Sequence, residues 1–124
     1  MSDKKVKIVY VEDEPSIAQL LMSGLGLFGI EVHPIYMSAE ALLSALEEDD
    51  LGDAELFFFD IRLPRMTGIE LATELRARGE KRPFVLVSAW PAPSEEKLAA
   101  INARFLPKPI EFPNVIQTIQ ELTG

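Results

Sequence analysis

Five side chains of this 124-residue sequence could do chemistry together if the fold brought them to one place: Glu12, Asp13, Asp60, Ser88 and Lys108. Each follows an apolar run. Asp60 follows Leu56, Phe57, Phe58 and Phe59; Glu12 and Asp13 follow Val6–Val11; Ser88 closes Phe84, Val85, Leu86 and Val87; Lys108 follows Phe105, Leu106 and Pro107. Clustered carboxylates repel and raise one another's pKa unless a positive charge sits among them. Oxygen-only donors suit a hard cation, and Mg²⁺, or Mn²⁺ in its place, takes one or two carboxylates while keeping waters and phosphate oxygens. A carboxylate beside such a cation can act as a nucleophile toward phosphorus and form an aspartyl phosphate. Lys108 could then pair with one phosphoryl oxygen and the Ser88 hydroxyl donate to another, while Ala89 leaves room and offers a backbone N–H.

The elements that must position these groups are legible from periodicity. Unbroken bulky runs at 56–59 and 83–88, without polar alternation, predict central parallel strands covered on both faces. Pro64 and Gly68 force a loop after Asp60. Val6–Val11 predicts a first strand; 31–37 predicts a second, at a sheet edge because Pro34 lacks the N–H that a central strand needs. Pro15 opens a helix through Ile17, Leu20, Leu21, Leu25 and Phe28. Ser38 caps another through Ala41, Leu42, Leu43 and Leu46, with Glu47 to Asp50 as its solvated end. Ile69, Leu71, Ala72 and Leu75 mark a third helix ending at Gly79, and Leu98 and Ile101 a short fourth. A brief strand at Arg104, Phe105 and Leu106 is broken by Pro107-Lys108-Pro109, and Val115, Ile116, Ile119 and Leu122 share one face of a last helix. Five strands alternating with five helices predict an α/β doubly wound sandwich around a parallel sheet. The carboxyl ends of parallel strands share one edge, so all five chemical groups are expected in one crevice.

Composition narrows the classes. A chain of 124 residues, 48% hydrophobic and 26% charged, suits one globular domain over 1–124, since domains commonly span roughly 100–150 residues. A formal net charge of −8 opposes direct contact with nucleic acid or anionic membrane. Absence of cysteine excludes disulfides and thiolate metal sites. Met1 to Lys5 leads straight into a strand-like run without the apolar core of a signal peptide, and no stretch reaches the ~20 apolar residues of a membrane span, so a cytoplasmic location is expected. Gly24-Leu25-Gly26-Leu27-Phe28-Gly29 matches the dinucleotide-binding pattern, but that motif must follow a strand and open a helix, whereas here it closes one. It is expected to serve helix termination and close packing. His33, the sole histidine, has no metal-binding companion and is expected to be an exposed strand residue.

Taken together, Val11-Glu12-Asp13-Glu14-Pro15, the stretch from Asp60 to Gly68, Val87-Ser88-Ala89 and Phe105-Leu106-Pro107-Lys108-Pro109 resemble, in order and spacing, the receiver domain of two-component response regulators. The resemblance covers the whole chain. It implies a flavodoxin-like sheet of order 2-1-3-4-5, and an Asp60 that accepts phosphate from a histidine kinase or phosphotransfer protein. It implies that Asp13 and Asp60 hold Mg²⁺ with the backbone carbonyl of Arg62, with Glu12 acting largely through water. Ser88 and Phe105 would form a switch pair, and Lys108 would precede a cis peptide at Pro109. The face of the fourth helix, fifth strand and fifth helix would repack for an output protein or for a homodimer. Such a domain assists its own phosphorylation and dephosphorylation without being a turnover enzyme. Glu12 stands where aspartate is more usual, and Phe105 lacks a tyrosine hydroxyl. Arg62, two residues after Asp60, and Trp90, two after Ser88, flank the approach of water and are expected to shield the acyl phosphate.

Singly, each group has an ordinary explanation: Glu12 and Asp13 as helix N-terminal charges, Asp60 as a loop or cap residue, Lys108 as a solvated charge, Trp90 as a surface aromatic or partner anchor. Joint placement on one edge is what favours chemistry. Haloacid-dehalogenase-like phosphatases also form aspartyl phosphates, but they place a second acid where Arg62 stands. A receiver-shaped interaction module that does not use phosphate would not require the intact acids and lysine. The domain is expected to stand alone; a receiver cut from a hybrid kinase or a DNA-binding regulator would have the same sequence features.

Overall fold

Bulky apolar strands with no exposed residue make the middle of the fold, because a strand buried on both faces can complete its hydrogen bonding only through neighbours on both sides. The computed structural model describes residues 6–124, so the expectation about residues 1–5 lies outside the described residues. Strand and helix alternate: β1 (Val6–Val11), α1 (Pro15–Gly26), β2 (Ile30–Tyr36), α2 (Ala39–Glu48), β3 (Leu56–Asp60), α3 (Gly68–Ala77), β4 (Phe84–Ser88), α4 (Glu95–Ala100), β5 (Ala103–Pro107) and α5 (Phe112–Thr123). All strand pairs are parallel, and the order is β2-β1-β3-β4-β5, a flavodoxin-like doubly wound sheet. No helix among the described residues is long and apolar enough to cross a membrane.

Two cores form, one on each face. Val9, Val11, Phe57, Phe59, Phe84 and Leu86 pack with Leu42, Leu71 and Leu75 from α2 and α3. Ile8, Tyr10, Phe58, Val85 and Val87 pack with Leu21, Leu25, Val115 and Ile119 from α1 and α5. Alternation within β1 and β3 divides their side chains between the two layers, as a period of two requires. Pro34 lies on the outermost strand as its missing N–H demands, and the β1–β2 register slips beside it: Ile8 pairs Val32, but Tyr10 pairs Ile35.

Three expectations need correction. The second strand starts one residue earlier, at Ile30, and ends at Tyr36. Leu20 and Phe28 do not belong to the buried face of α1: they are 65% and 59% exposed, and Phe28 lies beyond the end of the helix, so Ala18, Leu21 and Leu25 alone are buried from it. The glycine run only partly ends the helix, because Gly24 and Gly26 are both inside it. Gly24 is required by packing: a Cβ there would overlap the ring of Phe112 from α5. His33 is exposed and the acidic run at 47–50 is solvated.

Candidate functional site

Main-chain bonds just past the strand ends carry the ladder into the loops and fix the chemical groups. Glu12 N–H donates to Tyr36 O at 2.9 Å, Ile61 N–H to Val87 O at 2.9 Å and Lys108 N–H to Ser88 O at 2.9 Å. The β3–β4 and β4–β5 registers place Asp60 beside Val87 and Ser88 beside Pro107. After Asp60 the chain turns sharply enough that Gly68 N–H donates to Ile61 O at 2.9 Å, and a Cβ on Gly68 would strike the Asp60 carbonyl oxygen. Thr67 and Glu70 then close a reciprocal capping box that starts α3 and ends the loop.

Glu12, Asp13 and Asp60 each present a carboxylate oxygen, all within 4.8 Å of one another; Glu12 and Asp60 are buried and Asp13 is partly exposed at the mouth. Lys108 answers them. Its Nζ donates to Glu12 Oε1 at 3.0 Å and to Asp60 Oδ2 at 3.2 Å. Asp60 Oδ1 accepts the Arg62 N–H at 3.3 Å. Burial and the facing Glu12 carboxylate push Asp60 up to about 6, against the opposing pull of Lys108. Burial drags the Lys108 ammonium down, but its bond to Glu12 and the fields of both carboxylates carry it above its ordinary value. Three carboxylates around one ammonium leave excess negative charge with unspent oxygen lone pairs, a donor set that fits a hard divalent cation.

Outside the acids lies a crevice of about 480 Å³ lined by Asp13, Asp60, Arg62, Ser88, Trp90 and Lys108, among others. Ser88 is buried, and its Oγ accepts the Trp90 N–H at 3.0 Å. A hydroxyl has one proton and two lone pairs, so accepting from Trp90 leaves its proton free to donate into the crevice. Ala89 is exposed at the mouth. The Arg62 guanidinium stacks over the Trp90 ring, 4.8 Å from its centroid, across the opening. Phe105 on β5 is half-buried and packs against the core layer that also takes Leu98 of α4. The Lys108–Pro109 peptide is cis, as is His33–Pro34.

Sequence periodicity missed one contributor to the site and one tie elsewhere in the sheet. Tyr10 lies on β1 two residues before Glu12, and its hydroxyl donates to Glu12 Oε1 at 2.8 Å; burial, then the Glu12 charge, raises the phenol above its ordinary value. The i,i+2 spacing could have found it. At the opposite, amino-terminal edge of the sheet, the Arg76 guanidinium sits over Phe84, 3.7 Å from the ring centroid, and donates to the carbonyls of Glu80, Arg82, Ile101 and Asn102, tying α3 to the entries of β4 and β5. No short-range pattern announces it.

Comparison with known proteins agrees with the geometry. Residues 8–120 match the family described as the response regulator receiver domain. The response regulator MprA of Mycobacterium tuberculosis (strain ATCC 25618 / H37Rv) is 28% identical over 120 residues, covering 94% of this chain and 50% of that protein. The chain thus spans about half the length of the curated relatives it matches. A response regulator receiver domain (CheY-like) from Methylobacillus flagellatus superposes with a TM-score of 0.82 at 23% identity, covering 96% of this chain and 99% of the other. The response regulator TrrA from Thermotoga maritima, in complex with Mg(2+)-BeF, gives a TM-score of 0.80 at 25% identity, covering 94% and 98%.

Proposed function

We propose, on the premise that this chain belongs to the response regulator receiver domain family of two-component signalling, that Asp60 is a phosphoryl acceptor whose modification is read out by a protein partner. One observation carries the proposal: Lys108 Nζ lies 3.2 Å from Asp60 Oδ2, within a cluster of acids that opens onto a crevice wide enough for a phosphoryl group.

An Asp60 carboxylate oxygen attacks phosphorus of a phosphohistidine on a histidine kinase or phosphotransfer protein, the O–P bond forming as the P–N bond breaks and the electron pair returns to the imidazole. Asp13, Asp60 and the Arg62 carbonyl would hold Mg²⁺, with Glu12 contributing largely through water. When bound, that cation neutralises charge on the transferring group. Lys108 passes from Asp60 to a phosphoryl oxygen, a charge-assisted pair, and keeps its bond to Glu12. Ser88 donates its free proton to a second oxygen and the Ala89 N–H faces a third. Hydrolysis reverses the modification when water reaches phosphorus, and the Arg62–Trp90 stack at the opening slows that approach. The domain is therefore a signalling acceptor that assists its own phosphorylation and dephosphorylation, and turnover of a substrate is not its task.

Movement of Ser88 toward the phosphoryl group frees space along β4 for Phe105 to turn inward, which repacks the face of α4, β5 and α5 for an output protein or a second copy. Support for this comes from α4, which contributes no fully buried residue and is free to shift at small cost. Titration with beryllofluoride and Mg²⁺, followed by Trp90 fluorescence, tests the proposal. Saturable binding that needs Mg²⁺ and disappears in Asp60→Asn is expected. Failure to bind leaves a receiver-shaped interaction module that does not use phosphate.

A further inference from the structure

Tyr10 is fully buried in the core layer under α1 and α5, edge-on to Phe58 with ring centroids 6.3 Å apart. Phenylalanine would fill that layer as well, and a hydroxyl placed in apolar surroundings costs desolvation unless it finds a strong partner. Its partner is the Glu12 carboxylate, itself without solvent exposure, at 2.8 Å. The same oxygen, Oε1, accepts the Lys108 ammonium at 3.0 Å, while Oε2 accepts the Glu14 N–H at 3.3 Å. An oxygen with two lone pairs is filled by two donors, so Oε1 is committed between Tyr10 and Lys108.

Removing the phenol would leave Oε1 held by Lys108 alone and Oε2 by the long Glu14 N–H bond, loosening the carboxylate and with it the ammonium. We infer that Tyr10 is a positioning residue whose hydroxyl, acting through Glu12, fixes the Lys108 ammonium beside Asp60, where it meets the incoming phosphoryl group. The inference rests on Asp60 being the acceptor. It gives Glu12 a task besides metal binding, and it links the α1/α5 core layer to the reacting end of the sheet.

The test compares wild type, Tyr10→Phe, Glu12→Gln and the double variant, each titrated with beryllofluoride at saturating Mg²⁺ and with Mg²⁺ alone. Loss of a hydrogen bond to a charged group is expected to weaken beryllofluoride binding at saturating Mg²⁺ by roughly tenfold in Tyr10→Phe. On the Glu12→Gln background the same substitution should have a far smaller effect, because the coupling passes through the carboxylate. Equal weakening on both backgrounds would make Tyr10 a packing residue and overturn the inference; so would undiminished binding by Tyr10→Phe. Nuclear magnetic resonance of the Lys108 side chain, free of ligand, gives a second readout independent of the Glu12 variant: its resonances should move in Tyr10→Phe, and resonances left in place would refute the positioning role. A wild type that binds no beryllofluoride refutes the acceptor proposal and this inference with it. A binding wild type with an indifferent Tyr10→Phe removes Tyr10 alone.

Discussion

Replacing Asp60 with asparagine should stabilise the metal-free protein. In the fold this carboxyl is raised from 3.8 to about 6 by burial and by Glu12. Because its folded pKa lies above its unfolded one, the ionised group works against folding: stability is fullest below about pH 4 and falls as pH rises through the window from about 4 to 6. At pH 7 the whole cost is present. A shift of about two units corresponds to on the order of 3 kcal/mol, which sets a ceiling. Asparagine is nearly isosteric and uncharged, and Lys108 keeps its 3.0 Å bond to Glu12 after the exchange, although it loses an ionic partner. A net gain of roughly 1–3 kcal/mol follows, or a rise in Tm on the order of 4 °C per kcal/mol for a chain of this size. Guanidinium unfolding in EDTA at pH 7 measures it directly. The gain should shrink at pH 5, below the folded pKa of about 6, where Asp60 in the folded wild type already carries its proton most of the time. On the proposed role of Asp60 in holding Mg²⁺, saturating Mg²⁺ should restore wild type by mass action and help Asp60→Asn much less. An Asp60→Asn protein less stable than wild type in EDTA at pH 7, or a gain unchanged at pH 5, would refute the electrostatic account of the site.

Trimming Arg62 and Trp90 together to alanine removes the stack 4.8 Å across the crevice mouth, and dephosphorylation of the modified protein should accelerate by several-fold while the modified residue stays the same. An unchanged decay rate in a radiolabel or mass assay would remove the shielding role. Gly24→Ala drives a methyl into the Phe112 ring at the α1–α5 contact and should lower stability by about 1–3 kcal/mol, as overpacking does, while leaving Mg²⁺ affinity intact. Parallel denaturation and metal titration separate these effects.

The strand-terminating acids were legible because burial of a parallel strand leaves a run such as Leu56 to Phe59 with no polar residue, so the first carboxylate marks both the strand's end and the sheet edge. Pro34 was legible because a missing N–H excludes a central strand. Leu20 and Phe28 misled because apolar spacing alone does not say where a helix stops or which apolar residues exceed the width of the buried stripe. Gly24 is a related case: its role depends on Phe112, 88 positions away, and no local pattern encodes that contact. Arg82 was invisible for the same reason, since its guanidinium bonds the carbonyls of Asp50, Leu51 and Ala54 across the turn into β3. Among the site groups, Ser88, Asp60 and Lys108 could be placed by topology, but the sharing of one Glu12 oxygen by Tyr10 and Lys108 needed coordinates.

The central claim is that Asp60 takes a phosphoryl group, and intact mass spectrometry after incubation with acetyl phosphate and Mg²⁺ tests it most directly. Wild type should gain the mass of a single phosphoryl group, lose it again on standing, and gain none in EDTA; Asp60→Asn should gain none under any of these conditions. An unmodified wild type, or equal modification of Asp60→Asn, would contradict the account.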